Sequence, residues 1–339
     1  MGKKKNKREF LWIFVVLCMG VLIGYGIFFA PNFQGESFSL QIKESSTTQQ
    51  IADMLSRTGH LKNRHTFLLA ARCLLPDKVK AGKYRVETNA NNFSILFKIR
   101  KGQHFPVKFT FNNIRTRQNL LDKIGQHFLF SPEDLQKLLE DMHFLQQYHL
   151  TKENALVIFI PDTYEFYYDI NAETFFDKMY RHYQRFWNEE RCRLSRELGL
   201  SEVEVVTLAS IVEEENFTGK EKCRIAGLYI NRLRKNMKLQ ADPTVKFAAG
   251  VFSIKRVLSQ HLTIDSPYNT YMYAGLPPGP IRMPETATID SVLHYEHHDY
   301  LFMCADFAHP GTHIFTRNAD EHLQHARKYH VTLDKKGIK

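Results

Sequence analysis

The sequence predicts an α+β protein with a single N-terminal transmembrane helix, a small strand–helix–helix–strand (βααβ) subdomain, and a larger domain of mixed helices and short strands. Three observations support this fold class. An uncharged apolar run covers residues 10–30. Residues 36–103 combine two short strand patterns with helical patterns. Residues 104–339 then alternate helical periodicity with loops rich in proline and glycine.

The apolar run of residues 10–30 has the length of a membrane span, because about 20 apolar residues cross a bilayer. Lysines and an arginine precede it within residues 1–9. The positive-inside rule places such a tail in the cytoplasm and everything after about residue 31 outside. A cleaved signal peptide is the alternative, but its apolar core is usually about 7–15 residues and ends at small residues. Phe28 to Pro31 is a poor cleavage site, so a retained anchor is favoured.

Composition narrows the class of protein. Hydrophobic residues make up 43% and charged residues 24% of the 339 residues, as in a globular protein. The net charge of +10 would suit nucleic acid, but part of the excess lies in residues 1–9 and no nucleic-acid motif is present. An anionic polymer outside the cell is the better match. The five cysteines contain no CxxC pair, which disfavours a zinc site; buried small hydrophobes are the simplest interpretation, and pairing stays open.

The βααβ subdomain is predicted from a strand at 38–43, a helix capped within 45–48, a helix at about 62–75 and a strand at 83–86. This is the size of a small carbohydrate-binding module. A helix at about 92–101 and a strand at 105–111 follow. Farther on, residues 114–150 and 171–196 have helical patterns.

One helix places a carboxylate among apolar residues. Ser201 and Glu204 form a capping-box pattern that opens it. On a helical wheel, Glu215 lies about 20° from Leu208, at the centre of the apolar stripe. Glu213 and its neighbour Glu214 lie about 140° and 120° away. Apolar surroundings raise a carboxyl pKa, which suits a general acid. The alternative is that the helix frays and Glu215 is an ordinary solvated residue.

Several polar motifs follow that helix. A second helix is predicted over residues 221–233. Asp242 before Pro243 either caps a third helix or serves the site. The segment at 266–271 (SPYNTY) offers aromatic faces and hydrogen bonds of the kind that sugars use. The segment at 275–281 (GLPPGPI) is a stiff loop expected to shape a groove wall.

Taken in order, these motifs resemble one known family, the endolytic murein lytic transglycosylases of the YceG-like (MltG) type. The matching segments are PDTY (161–164), LASIVEEE (208–215), INRL (230–233), LQADPTV (239–245), SPYNTY (266–271), GLPPGPI (275–281) and THIF (312–315). The anchor and the βααβ subdomain, with AGKY (81–84), are similar to the family's anchor and LysM-like region. The resemblance therefore covers nearly the whole chain and divides it into a cytoplasmic tail (1–9), a transmembrane helix (10–30), a LysM-like subdomain (36–103) and a catalytic domain (104–339).

The resemblance implies a lyase that cuts the β-1,4 bond between N-acetylmuramic acid and N-acetylglucosamine in nascent glycan strands. The products would carry 1,6-anhydro ends, and glycan elongation would be limited. It implies Glu215 as the catalytic acid and base, with no cofactor and no metal. The predicted substrate-binding residues are Glu213, Asn231, Arg232, Gln240, Asp242, Thr244, Tyr268, Asn269, Thr270, Tyr271 and His313.

The implied location is the bacterial cytoplasmic (inner) membrane, with the catalytic domain on the outer side. The implied partners are peptidoglycan strands, the lipid bilayer through residues 10–30, and peptidoglycan synthases; nucleic acid is not expected. Two alternatives stay open. One is a hydrolase that pairs Glu215 with Asp242 or Glu213, and the other is a non-catalytic wall-binding scaffold.

Overall fold

The computed structural model describes residues 2–335 except 77–78, 113, 217–218, 255–256, 307 and 310, without the side chains of residues 2–6 and 329–335. Met1 of the predicted tail and the last four residues of the predicted catalytic domain lie outside this description. The chain divides into two compact units. The first comprises Met1–Phe109, His127–Phe130 and Tyr164–Asn171, and the second comprises Thr110–Gln126, Ser131–Thr163 and Ala172–Lys339.

The first unit begins with the helix α1, Gly2–Phe28. Its Lys7–Phe28 portion is long and apolar enough to cross a membrane or to serve as a signal sequence, and its side chains are mostly exposed. Its last turn is tied to the rest of the unit. Phe28 packs on the core of this unit, and the Asn92 amide donates to the carbonyl of Ile27 at 2.7 Å.

The predicted βααβ arrangement is present. Its elements are β1 (Phe38–Ile42), α2 (Thr48–Arg57), α3 (Arg64–Leu74) and β2 (Gly82–Val86), followed by α4 (Asn92–Lys101). The two strands are antiparallel, with Leu40 opposite Tyr84. Both of these side chains are buried on one face, as the period-2 alternation of a strand requires. A capping box between Thr47 and Gln50 begins α2.

A second strand pair joins β3 (Val107–Thr110) to β4 (Thr163–Phe166), mostly within the first unit. The earlier helices of the second unit are α5 (Arg117–Gly125), α6 (Pro132–Glu140), α7 (Met142–Gln146), α8 (Ala172–Phe186) and α9 (Glu189–Leu198), with a 3-10 turn at Ala155–Ile158. The continuous helical patterns at 114–150 and 171–196 are therefore broken into shorter helices. Ser131 caps α6 and Asn188 caps α9, and such caps mark where the breaks fall.

The later elements are α10 (Glu202–Glu215), α11 (Lys222–Arg234), α12 (Asp242–Ala249), α13 (Ser259–Leu262), α14 (Thr286–Leu293), β5 (Phe302–Ala305), β6 (His313–Thr316) and α15 (Ala319–Lys335). Helix α10 is central, since α9, α11, α12 and α14 all pack against it. Strands β5 and β6 form an antiparallel pair, and α15 packs on them.

The stiff GLPPGPI loop follows α13 and is held against α10. The backbone N–H of Ile281 donates to the Ser210 hydroxyl at 3.0 Å. Gly279 lies so close to the carbonyl of Glu153 that a β-carbon there would collide with it. This close approach explains why a residue without a side chain occupies that position.

All five cysteines are free thiols. The prediction that they are buried small hydrophobes is wrong, because Cys18 and Cys73 are exposed and the other three are half-buried. Cys304 lies on β5, where burial raises the pKa of its thiol.

Candidate active site

Helix α10 carries the three consecutive acids that end it. Its predicted capping box is present, with the Ser201 hydroxyl and the Glu204 carboxylate each bonded to the other residue's backbone N–H. The expectation of a single apolar stripe is wrong, because every residue from Val205 to Glu213 is buried. Neighbouring helices cover this helix on several sides, which a one-helix wheel does not register.

Glu213 points into the protein interior. Its carboxylate accepts from the Lys222 ammonium at 3.1 Å and from the Thr288 hydroxyl, and Lys222 also donates to Thr288 at 2.6 Å. The Lys222 and Glu213 side chains are 8% and 6% exposed. The pair ties α10, α11 and α14 together, and Glu213 does not line a cavity with Glu215.

Glu214 points to another side of the helix, where two arginines bind it. Arg115 donates from Nη2 to both carboxylate oxygens at 2.6 and 2.7 Å, and Arg282 donates from Nη1 at 2.7 Å. Two charge-assisted contacts on one carboxylate fix its position. Glu214 is therefore committed to an ion-pair cluster.

Glu215 alone among the three acids lines a cavity of about 440 Å³ that has both polar and apolar walls. We name it the Glu215 cavity; it lies among the end of α10, α11, the start of α12, β5, β6 and α15. The Tyr229 hydroxyl on α11 donates to Oε1 of Glu215 at 2.6 Å. Its volume falls in the range of small-molecule sites.

Burial raises the pKa of Glu215 to about 7, and the negative charges of Asp242 and Glu214 act in the same direction. The hydrogen bond from Tyr229 and the charge of Lys246 oppose that rise. Burial also raises the pKa of Tyr229 well above its ordinary value, so its hydroxyl stays a donor. Glu215 can therefore exist in both protonation states near neutral pH.

The wall opposite is polar and aromatic. The Tyr271 hydroxyl donates to Oδ1 of Asp242 at 2.6 Å, and both residues line the Glu215 cavity. Gln240 lines it with its backbone in the left-handed region, at φ of 51°. His313 contributes a ring whose Nδ1 lies 2.9 Å from a carboxylate oxygen of Glu221.

The model of the YceG-like family matches residues 40–328. The chain belongs to the YceG-like family. A Bacillus subtilis protein named endolytic murein transglycosylase is 27% identical over 309 residues, which cover 86% of this chain and 84% of that protein.

A Streptococcus pneumoniae protein of the same name is 25% identical over 312 residues, covering 83% of this chain and 56% of the relative. The YceG-like chain thus spans just over half the length of that relative. A crystal structure of a YceG-like protein from Listeria monocytogenes superposes with a TM-score of 0.58 at 26% identity. That match covers 85% of this chain and 98% of the Listeria chain.

Five of the predicted substrate-binding residues line the Glu215 cavity of this YceG-like chain: Arg232, Gln240, Asp242, Tyr271 and His313. Arg232 is 6% exposed, and it donates to the carbonyls of Leu301 at 2.6 Å and Leu239 at 2.8 Å and to the Gln240 side chain at 3.2 Å. It holds the backbone that forms the cavity wall. Asp242 begins α12 itself, and Ala241 occupies the N-cap position predicted for it.

The other predicted residues lie behind the walls: Glu213, Asn231, Thr244, Tyr268, Asn269 and Thr270. The hydroxyl groups of Thr244 and Thr270 bond to each other at 2.8 Å and are fully buried. Asn269 uses its amide to donate to the carbonyls of Leu262 and Ile264. These polar groups support the loops instead of facing the cavity, because buried polar atoms must be satisfied internally.

The side chains of Asn231 and Tyr268 likewise make contacts within the protein. The Asn231 amide donates to the carbonyls of His298 at 2.6 Å and Tyr300 at 3.2 Å. The Tyr268 ring packs against Phe247, with centroids 4.7 Å apart.

Among the titratable residues of the cavity, sequence reasoning missed Tyr229, Cys304 and His322. Tyr229 had a usable signal, because a tyrosine inside the apolar stripe of a helix needs a hydrogen-bond partner when it is buried. Cys304 and His322 had none, since β5 and α15 reach the cavity only through the tertiary fold. Among the described residues, no group of three or more His, Cys, Asp or Glu side chains is arranged to hold a metal ion.

Proposed function

We propose that this YceG-like protein is a membrane-anchored lytic transglycosylase, a lyase that cleaves the glycan strands of peptidoglycan. The observation that carries the proposal is Glu215, a single carboxyl group facing a polar cavity with a pKa raised to about 7. The names of the Bacillus and Streptococcus relatives support the same substrate. The two other acids of the run are already bound by cations.

The first step needs a proton donor. Tyr229 donates to Oε1 of Glu215, so we assign the transferable proton to Oε2. That proton passes to the glycosidic oxygen as its bond to C1 of the N-acetylmuramic acid breaks. The acetamido group of the same sugar stabilises the cationic centre that develops at C1. General acid catalysis of this kind works best with a pKa close to the working pH.

The second step needs a base. Glu215 is now a carboxylate, and Tyr229 stabilises it through a charge-assisted hydrogen bond. It removes the proton of the sugar's 6-hydroxyl, whose oxygen attacks C1 and closes a 1,6-anhydro ring. No water is consumed, and Glu215 returns to its protonated form. One carboxyl group serves both steps, unlike the two carboxyl groups of ordinary glycoside hydrolases.

The cavity walls suggest how the sugars are held. Gln240, Asp242, Tyr271 and His313 present polar atoms and ring faces toward the cavity. We assign them to substrate binding, with the Tyr271 to Asp242 hydrogen bond fixing both side chains. Arg232, Thr244, Asn269 and the other buried residues are assigned to holding these walls.

The proposal extends to the rest of the chain. The basic tail and the apolar helix α1 support a single-pass anchor in the inner membrane with the enzyme outside. Cleavage within nascent strands would limit their elongation, and synthases of the same wall are proposed partners. The βααβ subdomain is proposed to be LysM-like and to contact glycan, and it has a groove of about 720 Å³ beside β1 and α2.

Two alternatives make different predictions. A hydrolase would need a second acid, and only Asp242 of the two candidates lines the Glu215 cavity. A binding scaffold would release no products at all. Purified peptidoglycan treated with the full-length protein in detergent distinguishes them, because anhydro ends are lighter by one water than hydrolysed ends.

The decisive variant is Glu215→Gln, which keeps the shape and the Tyr229 contact but removes the proton. We expect cleavage to be lost by a factor of about 100 or more, as for removal of a general acid–base. Glu197→Gln, an exposed acid on α9, is the matched control and should cleave like the wild type. Full activity of Glu215→Gln would refute the catalytic assignment.

A further inference from the structure

A second, smaller cavity of about 170 Å³ lies beside the catalytic acid. We name it the Arg115 cavity; its walls include Arg115, Glu214, Lys246, Phe247 and Phe252. The Arg115 guanidinium lies over the Phe252 ring, with 4.8 Å from Cζ to the ring centroid. The cavity is therefore lined by both aromatic and charged side chains.

The two cavities begin on adjacent residues of the same two helices. At the end of α10, Glu214 lines the Arg115 cavity and Glu215 lines the Glu215 cavity. At the start of α12, Pro243 lines the Arg115 cavity and Asp242 lines the Glu215 cavity. A polymer bound across Glu215 would therefore have an adjoining group within reach of the Arg115 cavity.

Among the described residues that line this cavity, the charged side chains are two cations, Arg115 and Lys246, and one anion, Glu214. Glu214 is shared by Arg115 and Arg282, so two cations face one carboxylate. Lys246 adds a third cation from α12. Within the part of the chain that the structure describes, its ammonium has no ion pair or hydrogen bond. A half-buried ammonium beside a positive cluster is unfavourable alone and gains from an incoming anion.

We propose that the Arg115 cavity is an anionic subsite, in which Lys246 binds a carboxylate of the peptide-substituted sugar next to the bond under cleavage. The inference rests on the proposed function and names the part of the substrate that this site selects. The Arg115 cavity has less than half the volume of the Glu215 cavity, so we assign to it a small charged group such as a carboxylate. Peptide stems of the wall carry carboxylates of their own, whereas a glycan strand whose stems have been removed keeps only the lactyl carboxylate of each N-acetylmuramic acid.

The experiment compares two substrates with the full-length protein in detergent. One is uncrosslinked glycan carrying its peptide stems, and the other is the same glycan after an amidase has removed the stems. For each, kcat and KM are measured by counting new chain ends by mass spectrometry. The preference is the ratio of kcat/KM on peptide-bearing strands to that on stripped strands.

We expect Lys246→Met to lower this preference roughly tenfold, mainly through KM on peptide-bearing strands, because a charge-assisted contact is lost. The Lys246 charge also acts on Glu215, but that effect changes kcat/KM alike on both substrates and therefore cancels in their ratio. Lys246→Arg keeps the cation and should retain most of the preference. Lys235→Met is the matched control, since that exposed lysine lines neither cavity.

If Lys246→Met keeps the wild-type preference for peptide-bearing strands, the proposed subsite is refuted. Failure of the wild type to cut either substrate refutes the proposed function instead, so the two failures are distinguishable. A second measurement does not depend on the variant's folding. A soluble stem peptide should inhibit the wild type competitively, and the same peptide with amidated carboxyl groups should not; equal inhibition by both also overturns the subsite.

Discussion

Replacing Tyr229 with phenylalanine removes a hydrogen bond that favours ionised Glu215. That bond runs from the Tyr229 hydroxyl to Oε1 at 2.6 Å, and it lowers a carboxyl pKa that burial has raised to about 7. A hydrogen bond to a charged acceptor is worth about 1.5–3 kcal/mol, and to a neutral one about 0.5–1.5 kcal/mol. The difference of about 1–1.5 kcal/mol corresponds to about one pKa unit.

The expected pKa of Glu215 in Tyr229→Phe is therefore about 8, one unit above the wild type. The free enzyme needs protonated Glu215 for the first step, so kcat/KM should fall as pH rises through this pKa. In the wild type the fall centres near pH 7, and in the variant it should move up by about one unit. The plateau at lower pH should also drop, because the carboxylate formed in the first step loses its donor.

The assay is the pH profile of kcat/KM on purified glycan, measured from pH 5 to pH 9. Tyr273→Phe is the matched control, since the Tyr273 hydroxyl bonds to Asp265 and lies outside the Glu215 cavity. Its profile should overlay that of the wild type. An alkaline limb in Tyr229→Phe that stays in place or moves to lower pH would refute the account of how Glu215 is tuned.

Three further predictions concern stability. Glu215→Gln should stabilise the fold at pH 8 by up to about 3 kcal/mol relative to the wild type and hardly at pH 4. The reason is that the pKa of Glu215 is raised in the folded state, so the wild type loses stability as pH rises from the unfolded pKa of 4.5 through about 7. Melting temperatures measured across this pH range test the prediction, and a stabilisation that is largest at pH 4 would contradict it. Lys222→Met should lower the free energy of unfolding by about 3–5 kcal/mol, because it leaves the buried Glu213 carboxylate without its cation. Chemical denaturation measures this, and a loss under 1 kcal/mol would argue against the buried pair. Gly279→Ala should cost about 1–3 kcal/mol, since its β-carbon meets the Glu153 carbonyl, and unchanged unfolding would show that the loop is not held there.

Local signals in the sequence predicted local structure well. The capping box of Ser201 and Glu204 lies within four residues and is present as predicted. The strand pair β1 and β2 is also confirmed, because alternation along each strand fixes which side chains are buried. Breaks within the helical patterns at 114–150 were missed, since short amphipathic helices share one period and only their caps separate them.

The sequence singled out Glu215, which lines the cavity, and said less about the residues around it. The wheel put the three acids at different angles around α10, and their environments do differ, but the expectation that Glu213 points away from the buried face is wrong. It did not show that Glu213 has a lysine partner, because Lys222 arrives from another helix. Polar residues such as Asn269 and Thr270 suggested sugar contacts, yet they bond to loops brought near by the fold.

The lysine of the second cavity illustrates the same limit. Lys246 lies one helical turn after Asp242, so the sequence alone suggests an intrahelical ion pair. In the structure Asp242 bonds to Tyr271 instead, which leaves Lys246 facing the Arg115 cavity. Partner choice among charged groups depends on the tertiary arrangement, and no period in the sequence encodes it.

The central claim is that Glu215 acts first as acid and then as base, without water. Digestion of purified peptidoglycan in water labelled with heavy oxygen tests it most directly, with Glu215→Gln run in parallel. We predict that the wild type yields anhydro ends that carry no label and that the variant yields none. Labelled ends from the wild type, or unlabelled anhydro ends from the variant at the wild-type rate, would contradict the account.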